Sequence, residues 1–485
     1  MKFEKRKAGV LLHPSSLPGG KQNGEFGAEA YEFIDFIADC GFKVWQVLPM
    51  GPTHDDNSPY QCLSAHAGDV RFIAISELLK APWVNVNEFH VFQQAAFSGG
   101  ESIQTACLQY LLAQFDEYAE HEQRQQFAEF QSKQAFWLRD FSLFSVLRKK
   151  YVDQSWVAWP AALRDREPDA LEQACQAFSV EMRLIAFEQF IFFRQWLAIK
   201  QYANQRGVEL FGDIPLFVAH DSSDVWANRK FFKLDAEGRS TVIAGVPPDY
   251  FSETGQRWGN PLYDWQAIAE DGYQWWVQRL ATQFELFDLL RIDHFRGLQA
   301  YWEIPAEHET AVNGYWVDGP GDAFFEAIEK YFGEQLPLVA EDLGFITEEV
   351  HQLRENAALP GMKILQFAFD SDAMNPYLPH NHEMQSVVYT GTHDNDTSLG
   401  WYQGTTEDVK KRVREYYADA SENMPWLLIR SAFASVSGMA IVPMQDLMAL
   451  GSEHRMNVPG TTEGNWCWRF TWSEVDKSKI KDKVR

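Results

Sequence analysis

Eight short apolar runs punctuate this chain, and they constrain its fold more than any other feature. Each run is nearly continuous in apolar residues, which is typical of parallel strands covered on both faces. Segments with the apolar spacing of helices lie between several of the runs. One example extends from Ala30 to Ala38, and Gly41 follows it as a helix stop signal. Strands alternating with helices in this number predict an α/β fold, a (β/α)₈ TIM barrel. The runs are Ala8–Leu12, Val44–Pro49, Val208–Ile214, Phe287–Ile292, Leu338–Glu341, Met362–Phe367, Ser386–Thr390 and Met439–Val442.

The spacing between these runs is uneven, and the longest intervals predict insertions. About 160 residues separate the second run from the third, far more than a crossover helix needs. We predict a single catalytic domain over 1–485 with two large, mostly helical insertions. One is a helical subdomain at about 80–206, between strands 2 and 3. The other, between strands 3 and 4, is a lid or subdomain at about 217–284.

Charge and cysteine usage narrow the possible partners. The formal net charge of −25 at pH 7 disfavours nucleic acid and anionic membranes, since both require a basic face. A neutral ligand suits such a surface better, and no obligate protein partner is predicted. The five cysteines are scattered and odd in number, which favours a reduced, cytoplasmic protein. The apolar stretch near the start is too short for a signal-peptide core.

Four acidic residues lie at the ends of apolar runs, and their positions indicate a function for the predicted barrel. They are Asp213, Asp293, Glu341 and Asp394, each followed by turn-like sequence. Parallel barrel strands present their carboxyl ends at one shared mouth, which is the catalytic face of such barrels. Retaining glycoside chemistry uses one ionised carboxylate and one protonated acid, ~5–5.5 Å apart. Adjacent strands lie about 4.8 Å apart, so the fourth and fifth runs could supply that pair.

The residues around the acids leave several alternatives open. Arg291 and Asp293 share a strand face, so the guanidinium would favour an ionised nucleophile; a simple ion pair at the bottom of the barrel is the other interpretation. Glu341 and Asp342 are adjacent, and the pattern does not choose between them. Asp394 could hold sugar hydroxyls or merely form a turn or helix cap.

An aromatic, glycine- and proline-rich segment from Gly245 to Trp265 is typical of a loop. Aromatic rings can stack on the faces of sugars, so the segment is predicted to form a lid that binds sugar and excludes water. The alternative is that these rings pack against the long insertion. The histidines lack zinc-ligand spacing, and no dinucleotide or phosphate-binding loop is present. We therefore predict no metal and no cofactor. The rings are those of Tyr250, Phe251, Trp258, Tyr263 and Trp265.

From about Gly9 to Arg469, the chain resembles the amylomaltases, the 4-α-glucanotransferases of glycoside hydrolase family 77. The strand-end motifs are shared with the wider α-amylase group, whereas the lid motif and the Arg455 region are more specific. The motifs that carry the resemblance are Leu12–Pro18, Ser58–Tyr60, Gly212–Val218, Asp221–Trp226, Gly245–Phe251, Gln256–Tyr263, Arg291–Arg296, Ala340–Gly344, Thr392–Asn395, Arg455–Gly460 and Gly464–Trp466.

The resemblance implies a role for each matching residue. Asp293 would be the nucleophile, Glu341 the general acid/base in preference to Asp342, and Asp394 the third acid that stabilises the transition state. The implied substrate contacts are Ser58, Tyr60, Asp213, Gln256, Trp258, Arg291, His294 and His393. The implied substrates are malto-oligosaccharides and other α-1,4-glucans, with no cofactor.

Two other functions compete with glucan transfer. A hydrolase of the α-amylase type would use the same acids, with water in place of the acceptor sugar. A glucan-binding protein without activity is the second possibility, and the complete acid set disfavours it. The predicted lid favours transfer, because a bound sugar must outcompete water for the intermediate.

Overall fold

All eight predicted strands form, and they pair in parallel around a barrel. The structure is a computed structural model that describes residues 3–20, 23–96, 103–152, 154–248, 252–418 and 420–484. The order around the sheet is β6-β7-β8-β1-β2-β3-β4-β5, so the predicted (β/α)₈ fold is confirmed. The barrel strands are β1 Lys7–Leu11, β2 Val44–Gln46, β3 Glu209–Pro215, β4 Leu289–Asp293, β5 Leu338–Ala340, β6 Gly361–Ile364, β7 Ser386–Tyr389 and β8 Met439–Pro443.

Helices surround this barrel and fill the interval between β2 and β3. The α-helices of the described residues are Ala28–Cys40, Ile75–Leu78, Val86–Ala96, Ile103–Tyr118, His121–Lys133, Ala135–Lys150, Ala161–Arg164, Pro168–Ala177, Ser179–Gln205, Ser223–Ala227, Trp265–Glu270, Gln274–Leu286, Asp322–Phe332, Glu348–Asn356, Ser398–Gly404, Glu407–Tyr416, Trp426–Ala434, Met444–Leu447 and Lys477–Val484.

Alternation along the strands divides the core into two layers. Inward-facing side chains such as Leu11, Phe211 and Leu289 fill the barrel interior. Their outward-facing neighbours, Val10 and Leu290 among them, join the larger cluster beneath the helices. Burial on both faces explains why the strands read as continuous apolar runs.

The long helix Ser179–Gln205 belongs to the barrel wall as well as to the segment 80–206. Trp196 on this helix is fully buried, and its ring lies 5.9 Å from that of Trp45 on β2. Its indole N–H donates to the carbonyl of Leu286, 2.9 Å away. The helix therefore serves as the crossover between β2 and β3, and helices that precede it in the chain pack against it.

A second, antiparallel sheet was not predicted from the sequence. Val242–Val246 lies at its centre, between the edge strand Gln256–Pro261 and Ala300–Pro305, which also pairs with Tyr315–Asp318. The prediction of a loop from Gly245 to Trp265 was wrong at Gln256–Pro261, whereas more of the described residues of 217–284 lie in helices than in strands. Glycine and proline suggest a loop, but an edge strand tolerates both, and this one contains a register shift.

Among the described residues, no helix combines the length and apolarity needed to cross a membrane. The five cysteines form no disulfide with one another.

Asp342, next to the predicted acid Glu341, joins β5 to β6 where the barrel closes. Its Oδ1 accepts a hydrogen bond of 2.7 Å from the backbone N–H of Met362. Its Oδ2 lies 3.2 Å from Nε of Arg354. A Cβ on Gly361 would lie 2.3 Å from this carboxylate, so only glycine permits the approach. Asp342 thus has a structural position away from the barrel mouth.

Replacing Asp342 with alanine should therefore destabilise the protein without disturbing the mouth. The change strands a buried guanidinium and a buried N–H, which should lower the free energy of unfolding by about 3–5 kcal/mol. Asp342→Asn keeps one acceptor oxygen and should lose less. Urea denaturation of both variants measures the effect, with Glu415→Ala at an exposed ion pair as the control. Equal stability of Asp342→Ala and the control would contradict this assignment.

Candidate active site

The four predicted acids converge at the carboxyl ends of the barrel strands. Asp213 lies on β3, Asp293 ends β4, Glu341 follows β5, and Asp394 lies in the loop after β7. β3 and β4 are paired with Pro215 opposite Asp293. The ladder between β4 and β5 continues through the hydrogen bond from Glu341 N to the carbonyl of Ile292. This register places Glu341 beside Asp293.

Arg291 connects two of the acids inside the barrel mouth. Its Nη1 donates to Oδ2 of Asp213 over 2.6 Å, and its Nη2 donates to Oδ1 of Asp293 over 2.8 Å. Burial opposes a charge on Arg291, but the two carboxylates outweigh it and raise the pKa of the guanidinium. The ion pair lies at the carboxyl end of β4, so the alternative of a pair closing the barrel bottom is wrong.

The electrostatics of Asp293 differ from the prediction in one respect. Burial raises the pKa of Asp293 above its ordinary value, although Arg291 acts in the opposite direction. We expected the guanidinium to dominate. It does not, because the carboxylate is largely withdrawn from water and the carboxylates of Asp213 and Asp394 also repel a second negative charge.

The carboxyl group of Glu341 is withdrawn from water and is held by two backbone N–H groups. Its Oε2 accepts from the backbone N–H of His294 over 2.7 Å, and its Oε1 accepts from that of Leu343 over 3.0 Å. Burial raises the pKa of Glu341, the nearby charge of Arg291 lowers it, and that of Asp293 raises it further. These influences leave the pKa of Glu341 above its ordinary value, so the carboxyl group keeps its proton to a higher pH than a surface glutamate does.

His294 gives the turn after β4 its shape. It has a φ of 55°, in the left-handed region, and this bend directs its N–H at Glu341. Burial lowers the pKa of its imidazole to about 3, so the ring is neutral near pH 7. Its Nε2 is buried and makes no hydrogen bond to a described residue.

Asp394 is more open than the other acids, with 48% of its side chain exposed. Nδ2 of Asn457 donates to its Oδ1 over 2.7 Å, and Nε2 of His393 lies 3.4 Å from its Oδ2. Crowding by protein would raise the pKa of Asp394, but His393, Asn457 and Arg291 together hold it well below its ordinary value. The following helix is capped by Thr397, so Asp394 is not a helix cap.

An aromatic wall lines the mouth on the β3 side. Tyr60 donates from its hydroxyl to Oδ2 of Asp213 over 2.8 Å. Its ring stacks on His393 at a centroid distance of 5.2 Å and an angle of 17°. Trp466 lies 6.0 Å from Tyr60 and 5.9 Å from His393. The pocket around Asp213 and Arg291 therefore has both apolar faces and fixed polar groups, as a sugar site requires.

The other predicted contacts occupy different positions. Trp258 packs edge-on against His294 at a centroid distance of 4.8 Å, and its indole N–H donates to Oε1 of Gln256 over 3.1 Å. Ser58 uses its hydroxyl as an acceptor for the N–H of Tyr60. Trp258 thus reaches the catalytic turn, Gln256 orients Trp258, and Ser58 shapes the Tyr60 loop.

Two of the five rings of the predicted lid lie in the protein core. Tyr263 is fully buried, its hydroxyl donates to the carbonyl of Leu216, and its ring packs against Trp265. These two rings pack in the core, but their ring neighbours, such as Phe217 and Trp276, lie outside the long insertion that the packing alternative named. Tyr250 and Phe251 lie outside the described residues.

Sequence reasoning assigned no role to Asn457 or Trp466. Both lie in segments recognised as characteristic, Arg455–Gly460 and Gly464–Trp466, but neither follows a strand. Only folding brings them against Asp394 and Tyr60. Their presence in a motif was the one available signal.

Comparison with known proteins gives an independent indication of the family. The model of glycoside hydrolase family 77, described as 4-alpha-glucanotransferase, matches residues 12–474. The 4-alpha-glucanotransferase of Thermus thermophilus is 48% identical over 97% of this chain and 96% of its own length. The chloroplastic/amyloplastic 4-alpha-glucanotransferase of Solanum tuberosum is 40% identical over 99% of this chain and 86% of its own length.

A solved structure supports the same relationship. The amylomaltase of Streptococcus agalactiae in complex with acarbose is 34% identical, covers 99% of both chains and superposes with a TM-score of 0.92. These relatives carry a transferase name, which favours transfer over the hydrolase alternative. The matched family, the relatives and the shared fold span almost the whole chain, and the protein therefore belongs to the 4-α-glucanotransferases of glycoside hydrolase family 77.

Proposed function

We propose that this 4-α-glucanotransferase moves segments of α-1,4-glucans between malto-oligosaccharides, starch or glycogen chains by retaining double displacement. The observation that carries the mechanism is the register of β4 and β5, which sets Asp293 beside Glu341. The two carboxyl groups have different partners, a guanidinium for Asp293 and two backbone N–H groups for Glu341. Because their surroundings differ, one carboxyl group can act as the nucleophile and the other as the proton-donating acid.

In the first step, Asp293 attacks the anomeric carbon as Glu341 protonates the departing oxygen. The glycosidic bond breaks, a bond forms between the sugar and the Asp293 carboxylate, and the reducing-end fragment leaves with the proton. Arg291 favours the ionised form of Asp293 by its hydrogen bond. The raised pKa of Glu341 keeps part of it protonated near neutral pH.

In the second step, the roles reverse at Glu341. The deprotonated carboxylate takes the proton of the 4-hydroxyl of an acceptor glucan, and that oxygen displaces Asp293 from the anomeric carbon. The new linkage has the original configuration because the two inversions cancel. No cofactor is required in this scheme.

The sugar that reacts would lie among Asp213, Arg291, His294, His393 and Asp394. Asp394 is held ionised by its neighbours, so it can accept hydrogen bonds from sugar hydroxyls and stabilise positive charge at the anomeric carbon. Tyr60 and Trp466 provide apolar surfaces beside it. Trp258 covers His294 from another side, which supports exclusion of water from the intermediate.

The cellular compartment is a separate proposal. Cysteines that form no disulfide suit a reducing compartment, and we propose the cytoplasm, to be checked by cell fractionation. The family alone does not fix this, since the Solanum tuberosum relative is named chloroplastic/amyloplastic.

Incubation with maltotriose should separate transfer from hydrolysis. Transfer yields glucose and longer chains while the number of reducing ends stays constant, because each bond broken is replaced by another. Chromatography of the products together with a reducing-end assay measures both quantities. A steady rise in reducing ends without longer chains would instead support the hydrolase alternative.

Asp293→Asn should nearly abolish turnover of maltotriose. The amide has almost the same shape but cannot act as an anionic nucleophile, so kcat should fall by about 10⁴-fold or more. Asp342→Asn, which changes an acid outside the mouth, is the matched control and should retain most activity. Near-normal turnover by Asp293→Asn would end the nucleophile assignment.

The pH profile should have an alkaline limb that depends on Glu341. The acid must be protonated to release a sugar, so kcat/KM should fall as pH rises through its raised pKa. It should also fall at low pH, where Asp293 becomes protonated. Formation of the covalent intermediate from α-maltotriosyl fluoride, measured by fluoride release in single turnover, needs no acid. Glu341→Gln should therefore keep that step and show no alkaline limb in it. Near-normal kcat/KM of Glu341→Gln with maltotriose, with the alkaline limb intact, would assign the acid to another group.

A further inference from the structure

Two exposed aromatic rings lie beside the mouth, on the β5 side. Phe345 is 68% exposed and Trp316 is 36% exposed. Between them lies the buried guanidinium of Arg296, whose central carbon is 3.7 Å from the centroid of the Trp316 ring and 5.8 Å from that of Phe345. We call Trp316, Arg296 and Phe345 the aromatic platform.

The platform is fixed in position by the main chain. Nη1 of Arg296 donates to the carbonyl of Phe345 over 2.5 Å, which joins the turn after β4 to the loop after β5. Trp316 pairs with Trp302 across the antiparallel sheet, and their rings meet edge-on at 5.2 Å. The rings are therefore held in place before any ligand binds, which lowers the entropic cost of binding.

The guanidinium of Arg296 is stabilised mainly by cation–π contacts with these two rings. Within the described part of the chain, no carboxylate lies at ion-pair distance from its guanidinium, and burial lowers its pKa. A cation against an aromatic face gains about 0.5–2 kcal/mol. This contact explains how the platform is held together, whereas it does not explain why the outer ring of Phe345 faces water.

The platform continues directly from the catalytic residues. Arg296 follows Asp293 by three positions, and Phe345 follows Glu341 by four. Across the mouth, the strand order runs from Asp213 on β3, through Asp293 on β4, to the exit of β5. The platform therefore lies on the acid side of the mouth, away from the pocket around Asp213.

We propose that the aromatic platform binds the second and following glucose units on the reducing-end side of the cleaved bond. This inference rests on the proposed function. The acid must contact the departing oxygen, so the leaving fragment, and later the acceptor, extends past Glu341 toward Phe345. Glucose rings have apolar faces that stack on flat aromatic surfaces. The platform thus selects acceptor length: it engages maltotriose and leaves glucose, a single unit, largely untouched.

Steady-state transfer from α-maltotriosyl fluoride to glucose or to maltotriose tests this proposal. Phe345→Ala should raise the KM for maltotriose as acceptor by about fivefold to tenfold, the loss of one stacking contact. The KM for glucose as acceptor and the single-turnover rate of fluoride release should stay within twofold of wild type. Trp316→Ala should show the same pattern in any preparation with an unchanged melting temperature.

Two controls separate stacking from a structural effect. Phe345→Tyr keeps a flat ring and should restore the wild-type KM for maltotriose. Tyr118→Ala removes a ring of similar exposure on a distant helix and should change neither acceptor. An equal rise in KM for both acceptors, or no rise for maltotriose, would overturn the platform. Failure of the wild-type enzyme to lengthen maltotriose would instead overturn the proposed function itself.

Discussion

The hydrogen-bonded ion pairs of Arg291 with Asp213 and Asp293 are the interaction on which the site depends. The side chain of Arg291 is 7% exposed, and a buried charge of this kind is tolerated only when its partners compensate for lost hydration. The pairing orders three side chains from two neighbouring strands. It also holds two carboxylates close together on neighbouring strands, and a fixed arrangement of charges of this kind is what electrostatic catalysis uses.

The register of the barrel strands determines which acidic side chains lie side by side at the mouth. Because parallel strands end at the same edge, the hydrogen-bond ladder between β4 and β5 determines that Asp293 and Glu341 are neighbours. A slip of one residue would turn Glu341 away and present Asp342 in its place. Asp342 resists that slip, because its carboxylate is committed to Met362 and Arg354 at the barrel closure.

Much of the site could be predicted because its residues follow strands. Asp213, Asp293 and Glu341 each end an apolar run, so periodicity alone locates them. The rest depends on contacts between distant segments. Asn457 donates a hydrogen bond to Asp394, 63 positions earlier in the chain. Arg296 contacts Trp316, which lies on an edge strand of the antiparallel sheet that was not predicted. Tyr263 shows the converse error, since an aromatic residue in a glycine-rich segment proved to be core.

The sequence by itself determined the barrel, the number and order of its strands, and the acids at their ends, because those features depend on local periodicity and on the fixed geometry of parallel sheets. The strand pattern left open which of Glu341 and Asp342 faces the mouth, and the tertiary structure decided it, together with how burial outweighs Arg291 in setting the pKa of Asp293. It also decided which aromatic rings line the mouth. These properties depend on the distance, the solvent and the charges around each group, and distant parts of the chain supply all three.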